Sequence, residues 1–259
     1  MILKRDMNRH ILRATACFYL FLLLGHEMES ANLALNIDDC VPKPGESASE
    51  QYFSINSESV FADWDFSNVR MIGVPCLIEC KRLDLNQVCI LTQSKWNIRQ
   101  LTILEQKGDS VLVNKFYSTK HNSPFLAPYR SYSDKCIHIF PITIKKSYNS
   151  YKADFFYDYE WKCTVSGTKV EFIDSIGTLK TPNGNVIKNA ILVKTEDCFE
   201  ESHQYNTKSY DYQRKLLYVC YSWFTPGFKF PIIEITRIYE FDKLGTVCNT
   251  YEEAFFRYQ

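Results

Sequence analysis

Short runs in which apolar and polar positions alternate dominate the chain after about residue 60. Runs such as residues 69–74 and 88–92 are rich in branched side chains and end at polar residues, Gly or Pro, which is typical of β-strands. Apolar periodicity of helical length is scarce. Because hairpin turns follow one another without helices that would connect parallel strands, the pattern predicts an all-β fold, either an antiparallel β-sandwich or two packed β layers.

The clearest hairpin is centred on Asn183-Gly184. One apolar-rich run, residues 176–181, leads into this dipeptide, and another, residues 186–193, leads out of it. Asn and Gly tolerate the positive φ angles that a tight hairpin turn requires. The sequence therefore predicts two antiparallel strands joined at this point.

A second hairpin is predicted at Pro226-Gly227, between residues 216–224 and 230–239. Pro231 has no backbone N–H to donate, so it suggests a strand start or an edge strand. The stretch between the two hairpins, residues 198–213, is polar, and we expect it to form a loop.

Aromatic and acidic side chains alternate along residues 151–161. On a strand, Asp158 and Glu160 would leave the same face about 7 Å apart, a separation compatible with inverting glycoside hydrolysis. A solvated strand face is the favoured interpretation, because any acidic pair two positions apart on a strand has this spacing. No catalytic residue is therefore assigned here.

The N-terminus has the layout of a secretory signal peptide over residues 1–25. Four basic residues precede an uncharged, mostly apolar run at residues 14–25, which is shorter than the roughly 20 residues of a membrane-spanning helix. A signal anchor and a buried N-terminal helix are the alternatives. We expect an extracytoplasmic protein, in the periplasm, on the cell surface or secreted, with no membrane span after the signal is removed.

Composition divides the remainder into two parts. Residues 26–58 are rich in Asp, Pro, Gly, Ser and Glu and are predicted to be an exposed segment. Residues 59–259 are predicted to form the β domain. Residues 120–135 are a candidate domain boundary within it, because Ser and Pro cluster there, although the same composition also suits one long loop.

The charge balance excludes one class of partner. The chain has 259 residues, 46% of them hydrophobic, with 30 basic and 30 acidic side chains. This composition is that of a folded globular protein. A net charge of zero does not attract nucleic acid by its field, so no nucleic-acid partner is predicted.

Ten cysteines are present, nine of them after residue 25. Disulfides are the first interpretation for an exported protein, and buried thiols acting as small apolar side chains are the alternative. Cys76 and Cys80 have no second pair to complete a zinc site. In an extended strand they would lie about 13 Å apart, whereas a disulfide needs Cα atoms within roughly 7 Å, so we expect no bridge between them.

Common catalytic motifs are missing from the chain, including G-x-S-x-G, H-E-x-x-H, the P-loop and G-x-G-x-x-G. No catalytic, cofactor-binding or metal-binding residue is therefore predicted. His121 and His203 stand in no recognisable motif. His138 lies within an apolar strand, and we expect a hydrogen-bonded core or edge residue rather than a general base. The aromatic content of 15% suits either a binding platform or a β core, and the core is favoured.

Three segments carry a resemblance to known proteins. They are Trp64-Asp65-Phe66-Ser67, the G-T-L-K-T-P-N-G run at residues 177–184, and Tyr221-Ser222-Trp223-Phe224 followed by residues 230–235. Together they resemble elements of a broad group of exported Bacteroidetes β proteins of unknown function. The resemblance implies an exported β protein and supplies no catalytic residues. Turn and core requirements also account for these residues as fold elements.

Two functional hypotheses follow. The first is an exported, non-enzymatic envelope or secreted protein with a binding or structural role and an unknown ligand, such as a glycan or an envelope protein. The second is a carbohydrate-active protein that binds or hydrolyses glycans. The sequence assigns no cofactor under either hypothesis.

Export is directly testable. N-terminal sequencing of the protein recovered from its native host should give a first residue between about residues 26 and 35, because signal peptidase removes the basic and apolar N-terminal segment. Recovery of intact Met1 from the soluble cytoplasm would contradict the signal-peptide prediction.

Overall fold

Antiparallel β-strands make up most of the chain. The computed structural model describes residues 33–55, 59–93, 98–118, 129–133, 136–156, 161–205 and 208–259. The strands are β1 (Ala34–Leu35), β2 (Ser47–Ser54), β3 (Arg70–Asp84), β4 (Gln87–Gln93), β5 (Ile98–Lys107), β6 (Ser110–Ser118), β7 (Tyr129–Ser133), β8 (Cys136–Ile139), β9 (Ile142–Thr143), β10 (Ser147–Phe156), β11 (Trp161–Lys180), β12 (Val186–Tyr205), β13 (Lys208–Thr225), β14 (Phe228–Phe241) and β15 (Val247–Tyr258). Two short helices are described, α1 (Ile37–Cys40) and α2 (Ser59–Asp63).

One large sheet contains every strand except β1 and β9. Its strands pair in chain order from β2 to β7 and from β10 to β15, β7 pairs with β10, and β15 returns to pair with β2. The sheet therefore closes on itself, and β8 extends it beside β6. All of these pairings are antiparallel. The predicted all-β class is confirmed, and opposite sides of the closed sheet form its packed layers.

Contacts divide the chain into two units, Met1–Ala34 and Leu35–Gln259. The large sheet and the sites described below belong to the second unit. The signal peptide predicted for residues 1–25 lies outside the described residues, as does most of the candidate domain boundary at residues 120–135.

The pairing of β2 with β15 joins the two ends of the strand succession. In its register Glu50 lies opposite Arg257, and Tyr52 lies opposite Phe255. Arg257 Nε donates to Glu50 Oε2 at 2.8 Å, and Arg257 Nη1 donates to Glu234 Oε2 on β14 at 3.2 Å. The rings of Tyr52 and Phe255 lie 4.4 Å apart between centroids. An ion pair and an aromatic pair thus link strands separated by nearly the whole chain.

Arg257 remains charged although only 11% of its side chain is exposed. Burial acts to lower the pKa of Arg257, but the carboxylates of Glu234 and Glu50 outweigh burial and raise it above its ordinary value. A buried charge of this kind stabilises a fold only while its partners remain in place.

The largest apolar cluster lies on the outer face of the sheet. Trp223 and Ile233 belong to this cluster. Their neighbours Ser222 and Glu234 line the interior, so Trp223 and Ile233 point to the opposite, outer face. The segment that begins with α2 covers them, and Phe66 packs against Trp223 with ring centroids 5.3 Å apart. Phe66 and Trp223 are both 0% exposed.

Backbone contacts hold this covering segment to β11. Phe66 N donates to Lys180 O at 2.8 Å, and Lys180 N donates to Trp64 O at 2.9 Å. Lys180 Nζ also donates to Asp65 Oδ2 at 2.7 Å. The ring of Trp64 lies against Gly177, where a Cβ would come within 2.8 Å of Trp64 Cζ3. All three sequence segments that carried the resemblance therefore meet in one core.

Both predicted hairpins are confirmed. In the first, β11 and β12 flank a turn at residues 181–185, and Gly184 rather than Asn183 adopts a positive φ of 82°. In the second, β13 and β14 flank Pro226-Gly227, and Gly227 has a φ of 84°. Pro231 lies near the start of β14, beside a register irregularity in its pairing with β13.

The loop predicted at residues 198–213 is instead part of two strands. β12 continues to Tyr205, and β13 begins at Lys208. The inward positions Glu201 and His203 are polar, and the outward positions Glu200 and Ser202 are polar as well. The stretch therefore lacks the apolar face by which a strand is ordinarily identified.

Residues 33–55 differ from the exposed segment predicted for residues 26–58. They contain α1 and β2, and Ala48 and Phe53 are buried. β2 pairs with β3 on one side and with β15 on the other. Small polar side chains are frequent in β2, so its composition does not indicate a strand with a neighbour on each side. Pairing with β3 and β15 outweighs this local composition.

Removing the Arg257 guanidinium from the β2–β15 pairing should destabilise the protein. We expect Arg257→Gln to lower the free energy of unfolding by about 3–5 kcal/mol, because it leaves Glu50 buried without its charge partner. Urea denaturation measures the change. Arg82→Gln, at an exposed position on β3, is the matched control and should change stability by less than about 0.5 kcal/mol. Equal changes in stability in the two variants would show that the ion pair between Arg257 and Glu50 does not stabilise the β2–β15 pairing.

Candidate functional site

A cavity of about 340 Å³ lies inside the closed sheet. Its lining includes Ile90 on β4 and Thr195 on β12, two strands that lie well apart in the strand order. Such strands share a cavity only where their side chains point to a common interior. Cys40, at the end of α1, and the following Val41 and Pro42 also line it.

The two walls of the cavity differ in chemistry. Strands β3 to β6 supply mainly apolar side chains and two hydroxyls, from Ile78, Ile90, Thr92, Thr102, Leu104 and Val111. Strands β11 to β15, together with β2, supply most of the polar groups, from Glu50, Lys169, Thr195, Cys220, Ser222, Glu234 and Arg257, and β13 and β14 also contribute Phe224, Lys229, Phe230 and Pro231. The cavity is therefore amphipathic: one wall is mainly apolar, and the other, here called the polar wall, carries all of its charged strand residues from β2 and β11 to β15.

A second network of charged side chains, in addition to Arg257 with Glu50 and Glu234, is centred on Glu171. Glu171 on β11 is 3% exposed and accepts from three groups at its Oε1 atom. His138 Nδ1 lies 2.8 Å away, Lys169 Nζ lies 3.4 Å away and Thr195 Oγ1 lies 3.3 Å away. His138, Lys169 and Thr195 line the cavity, so Glu171 positions a part of the polar wall.

This network sets the charge of Glu171. Burial acts to raise the pKa of Glu171, but the positive charges and hydrogen bonds of His138 and Lys169 outweigh burial and lower it to about 2. Glu171 is therefore ionised throughout the neutral range and serves as a fixed negative charge.

Two of the lining residues, Cys40 and Cys220, carry thiols. Burial, followed by the nearby charge of Asp39, raises the pKa of Cys40 to about 12. Burial, followed by the charge of Glu234, raises the pKa of Cys220 to about 12 as well. Both thiols remain protonated at neutral pH and are poor nucleophiles.

An apolar layer borders the cavity along β11 and β12. Tyr151, Val165 and Phe199 pack together there, and Tyr151 Oη donates to Asp197 Oδ1 at 2.7 Å. Gly167 makes room for this layer, since a Cβ at that position would lie 2.6 Å from Phe199 Cβ and 2.9 Å from Tyr151 Oη. Beyond the layer, Cys163 lies opposite His203 in the register of β11 and β12.

The structure places several residues that the sequence singled out. The hydrogen-bonded role predicted for His138 is confirmed by its contact with Glu171. Cys76 and Cys80 are buried on the single strand β3, as expected. No disulfide joins any two of the eight cysteines whose side chains are described. Asp158, Glu160 and His121 lie outside the described residues.

Aromatic residues serve mainly as core in the described part of the chain. Trp223 is fully buried, and Trp64 packs against Trp223 with ring centroids 6.0 Å apart. Tyr148 and Tyr251 are exposed at 66% and 50%, on strands that are not neighbours in the sheet. The candidate binding surface is therefore the cavity inside the sheet rather than an external platform.

Sequence reasoning missed the charged residues of the interior. Five charged side chains are buried among the described residues, and all of them lie on inward positions: Glu50, Lys169, Glu171, Asp197 and Glu201. The available signal was polar residues at alternate positions of a strand, such as Lys169 and Glu171 on β11. That pattern also describes an exposed face, so closure of the sheet was needed to interpret it.

No protein-family model, curated protein or solved structure matches the chain. Within the described residues, no helix is both long and apolar enough to cross a membrane.

Low pH should reduce the stability that the Glu171 network contributes. The pKa of Glu171 is lowered from about 4.5 to about 2, so its ionised form contributes stability above pH 4.5, and this contribution is lost as the pH falls to about 2. We expect the difference in unfolding free energy between the native protein and Glu171→Gln to shrink over this range. Chemical denaturation at successive pH values measures it.

Glu200→Gln is the matched control, since Glu200 is an exposed glutamate on β12. Its difference from the native protein should stay nearly constant between pH 4.5 and pH 2. A constant difference for Glu171→Gln as well would show that the network does not hold the Glu171 carboxylate in its ionised form.

Proposed function

We propose that this protein is an exported, non-enzymatic binding protein that holds a small, neutral, amphipathic molecule in the cavity inside its sheet. The observation that carries the proposal is the contrast between the two walls, with Ile78, Ile90 and Leu104 on one side and Glu50, Ser222 and Arg257 on the other. An amphipathic molecule satisfies both walls at once, because it buries apolar surface while keeping its hydrogen bonds.

The size of the cavity limits the ligand. Its volume of about 340 Å³ lies near the lower end of the range for small-molecule sites, about 300–1,000 Å³. The proposed ligand is therefore a compact single molecule rather than a chain of linked units or a folded partner.

The charges of the polar wall support a neutral ligand. Arg257 is paired with Glu50 and Glu234, and Lys169 is paired with Glu171. A ligand with a net charge would add an uncompensated charge beside Arg257 and Lys169, whose charges already have partners; Lys229, at the start of β14, is a further cation of the lining. The Thr195 hydroxyl donates to Glu171 and keeps acceptor capacity, and the Ser222 hydroxyl, 3.5 Å from the Cys220 thiol, can also bond a neutral polar group.

The same electrostatics favour binding over catalysis. General acids and bases work best with a pKa near the operating pH, whereas the pKa of Glu171 is about 2. The Cys40 and Cys220 thiols are held protonated by pKa values of about 12. These groups are therefore suited to fixing a polar environment rather than to transferring protons or attacking a substrate.

A small saccharide is the second candidate, in line with the carbohydrate-binding alternative. The polar wall suits the hydroxyl groups of a sugar, and the apolar wall suits the C–H face of its ring.

Export is supported by the basic and apolar pattern of residues 1–25.

A cavity-filling variant tests the proposal. The probe is N-phenylnaphthylamine, a small neutral amphipathic dye whose fluorescence rises in apolar surroundings. Thr92 lines the apolar wall, and Thr92→Phe places a ring in the cavity. We expect the dye to bind the native protein and to bind Thr92→Phe at least about tenfold more weakly, a loss of about 1.4 kcal/mol.

Thr168→Phe provides the matched control, because Thr168 is an exposed position of β11. It adds the same apolar ring to the outside and should leave dye binding unchanged. Unfolding midpoints of both variants verify that they are folded. Equal dye binding by Thr92→Phe and the native protein would contradict the proposal, and displacement of the dye by glucose or N-acetylglucosamine would favour the saccharide candidate.

A further inference from the structure

A second inward cluster lies away from the cavity and combines three kinds of metal-binding side chain. Cys163 on β11 lies directly opposite His203 on β12. Glu201 precedes His203 by two positions and therefore projects from the same face. One ligand atom from each of the three residues lies within 4.8 Å of the others.

We propose that Cys163, Glu201 and His203 bind a zinc ion. Cys163 Sγ lies 3.8 Å from His203 Nε2, and His203 Nε2 lies 3.6 Å from Glu201 Oε2. Tetrahedral zinc with ordinary bond lengths separates its sulfur and nitrogen ligands by about 3.6 Å and its nitrogen and oxygen ligands by about 3.4 Å. These two separations are thus within a few tenths of an ångström of those that the ion requires, and Cys163 Sγ lies within 4.8 Å of a Glu201 carboxylate oxygen.

The chemical types of the ligands select the metal. A thiolate and an imidazole favour zinc over magnesium or calcium, which prefer oxygen ligands. Zn²⁺ carries two positive charges, and the Cys163 thiolate and the Glu201 carboxylate together carry two negative charges. Binding displaces one proton from the Cys163 thiol to solvent, and the bound site is neutral.

Burial of Glu201 gives an independent reason to expect a cation. Its carboxylate is 8% exposed, and the charged groups that approach it within the described residues, His203 Nε2 at 3.6 Å and Arg214 Nη1 at 4.0 Å, lie beyond hydrogen-bond distance. Arg214 makes its short contacts with Glu240 instead, at 2.6 Å and 3.1 Å. A metal ion would compensate the Glu201 charge directly.

The environment suits a bound ion. Cys163 is 0% exposed, whereas 15% of the His203 side chain is exposed, so one side of the cluster is open to an entering ion. Three protein ligands leave the fourth tetrahedral position for water or another small ligand. Cys163 lies six positions from Lys169, about 20 Å along a strand, so this site is independent of the cavity.

Cobalt supplies a spectroscopic test. Co²⁺ takes tetrahedral zinc sites, and a thiolate ligand gives it a charge-transfer band in the near ultraviolet. Titration of the purified, reduced protein with Co²⁺ should produce this band together with visible tetrahedral bands at one ion per chain. Added Zn²⁺ should remove them.

Variants locate the ion. Cys163→Ser should abolish the near-ultraviolet band, and Glu201→Gln and His203→Gln should each weaken binding at least about tenfold. Cys198→Ser is the matched control, since Cys198 is on β12 but at a position of opposite parity to Glu201 and His203. It should keep the band. Thr92→Phe should keep it too, so the zinc site and the cavity proposal fail or succeed separately.

The stability of the native protein gives a second readout. Zn²⁺ should raise its unfolding midpoint and should not raise that of His203→Gln, which tests the site even if Cys163→Ser fails to fold. A band that persists in Cys163→Ser, a band that disappears in Cys198→Ser, or an equal zinc-induced shift in the native protein and His203→Gln would overturn the proposal.

Discussion

Arg257 and Glu50 form an ion pair across the join between β2 and β15. Apart from the pairing of β7 with β10, the other pairings that close the sheet join strands that follow one another along the chain. Such pairings form locally. The β2–β15 pairing alone brings the two ends of the succession together, and it encloses the interior. Because Arg257 and Glu50 also line the cavity, the contact that closes the sheet contributes to the proposed binding site.

Closure has a chemical consequence for the interior. Each charged side chain that points inward loses water and needs a partner. Glu50 and Glu234 compensate Arg257, while Lys169 and His138 compensate Glu171. Between this region and the Cys163 cluster lies an apolar layer that includes Tyr151 and Phe199. The interior is thus divided along β11 and β12 into an amphipathic cavity, an apolar layer and the proposed metal site.

The buried thiols fit this architecture. Small exported domains often rely on disulfides because their cores are small, but here a long closed sheet and a separate outer core around Trp223 supply extensive packing. No disulfide joins the eight described cysteines to one another. Burial raises the pKa of Cys80 to about 11, so this thiol behaves as a small apolar side chain.

The sequence by itself determined the all-β class, the two hairpins and the extended strand that carries Cys76 and Cys80. These features depend on neighbours in the chain, through two-residue alternation and the positive φ of Gly184 and Gly227. It also predicted the hydrogen-bonded role of His138, because a polar ring within an apolar strand needs a partner.

Only the tertiary structure decided which strand faces are enclosed. Alternation identifies two faces of a strand but does not say which face lies inside, and polar residues on both faces made residues 198–213 resemble a loop. The partners Glu50 and Arg257 are 207 positions apart, and Cys163 and His203 are 40 positions apart. Their meeting is set by the register and closure of the whole sheet, and no local pattern encodes these long-range contacts.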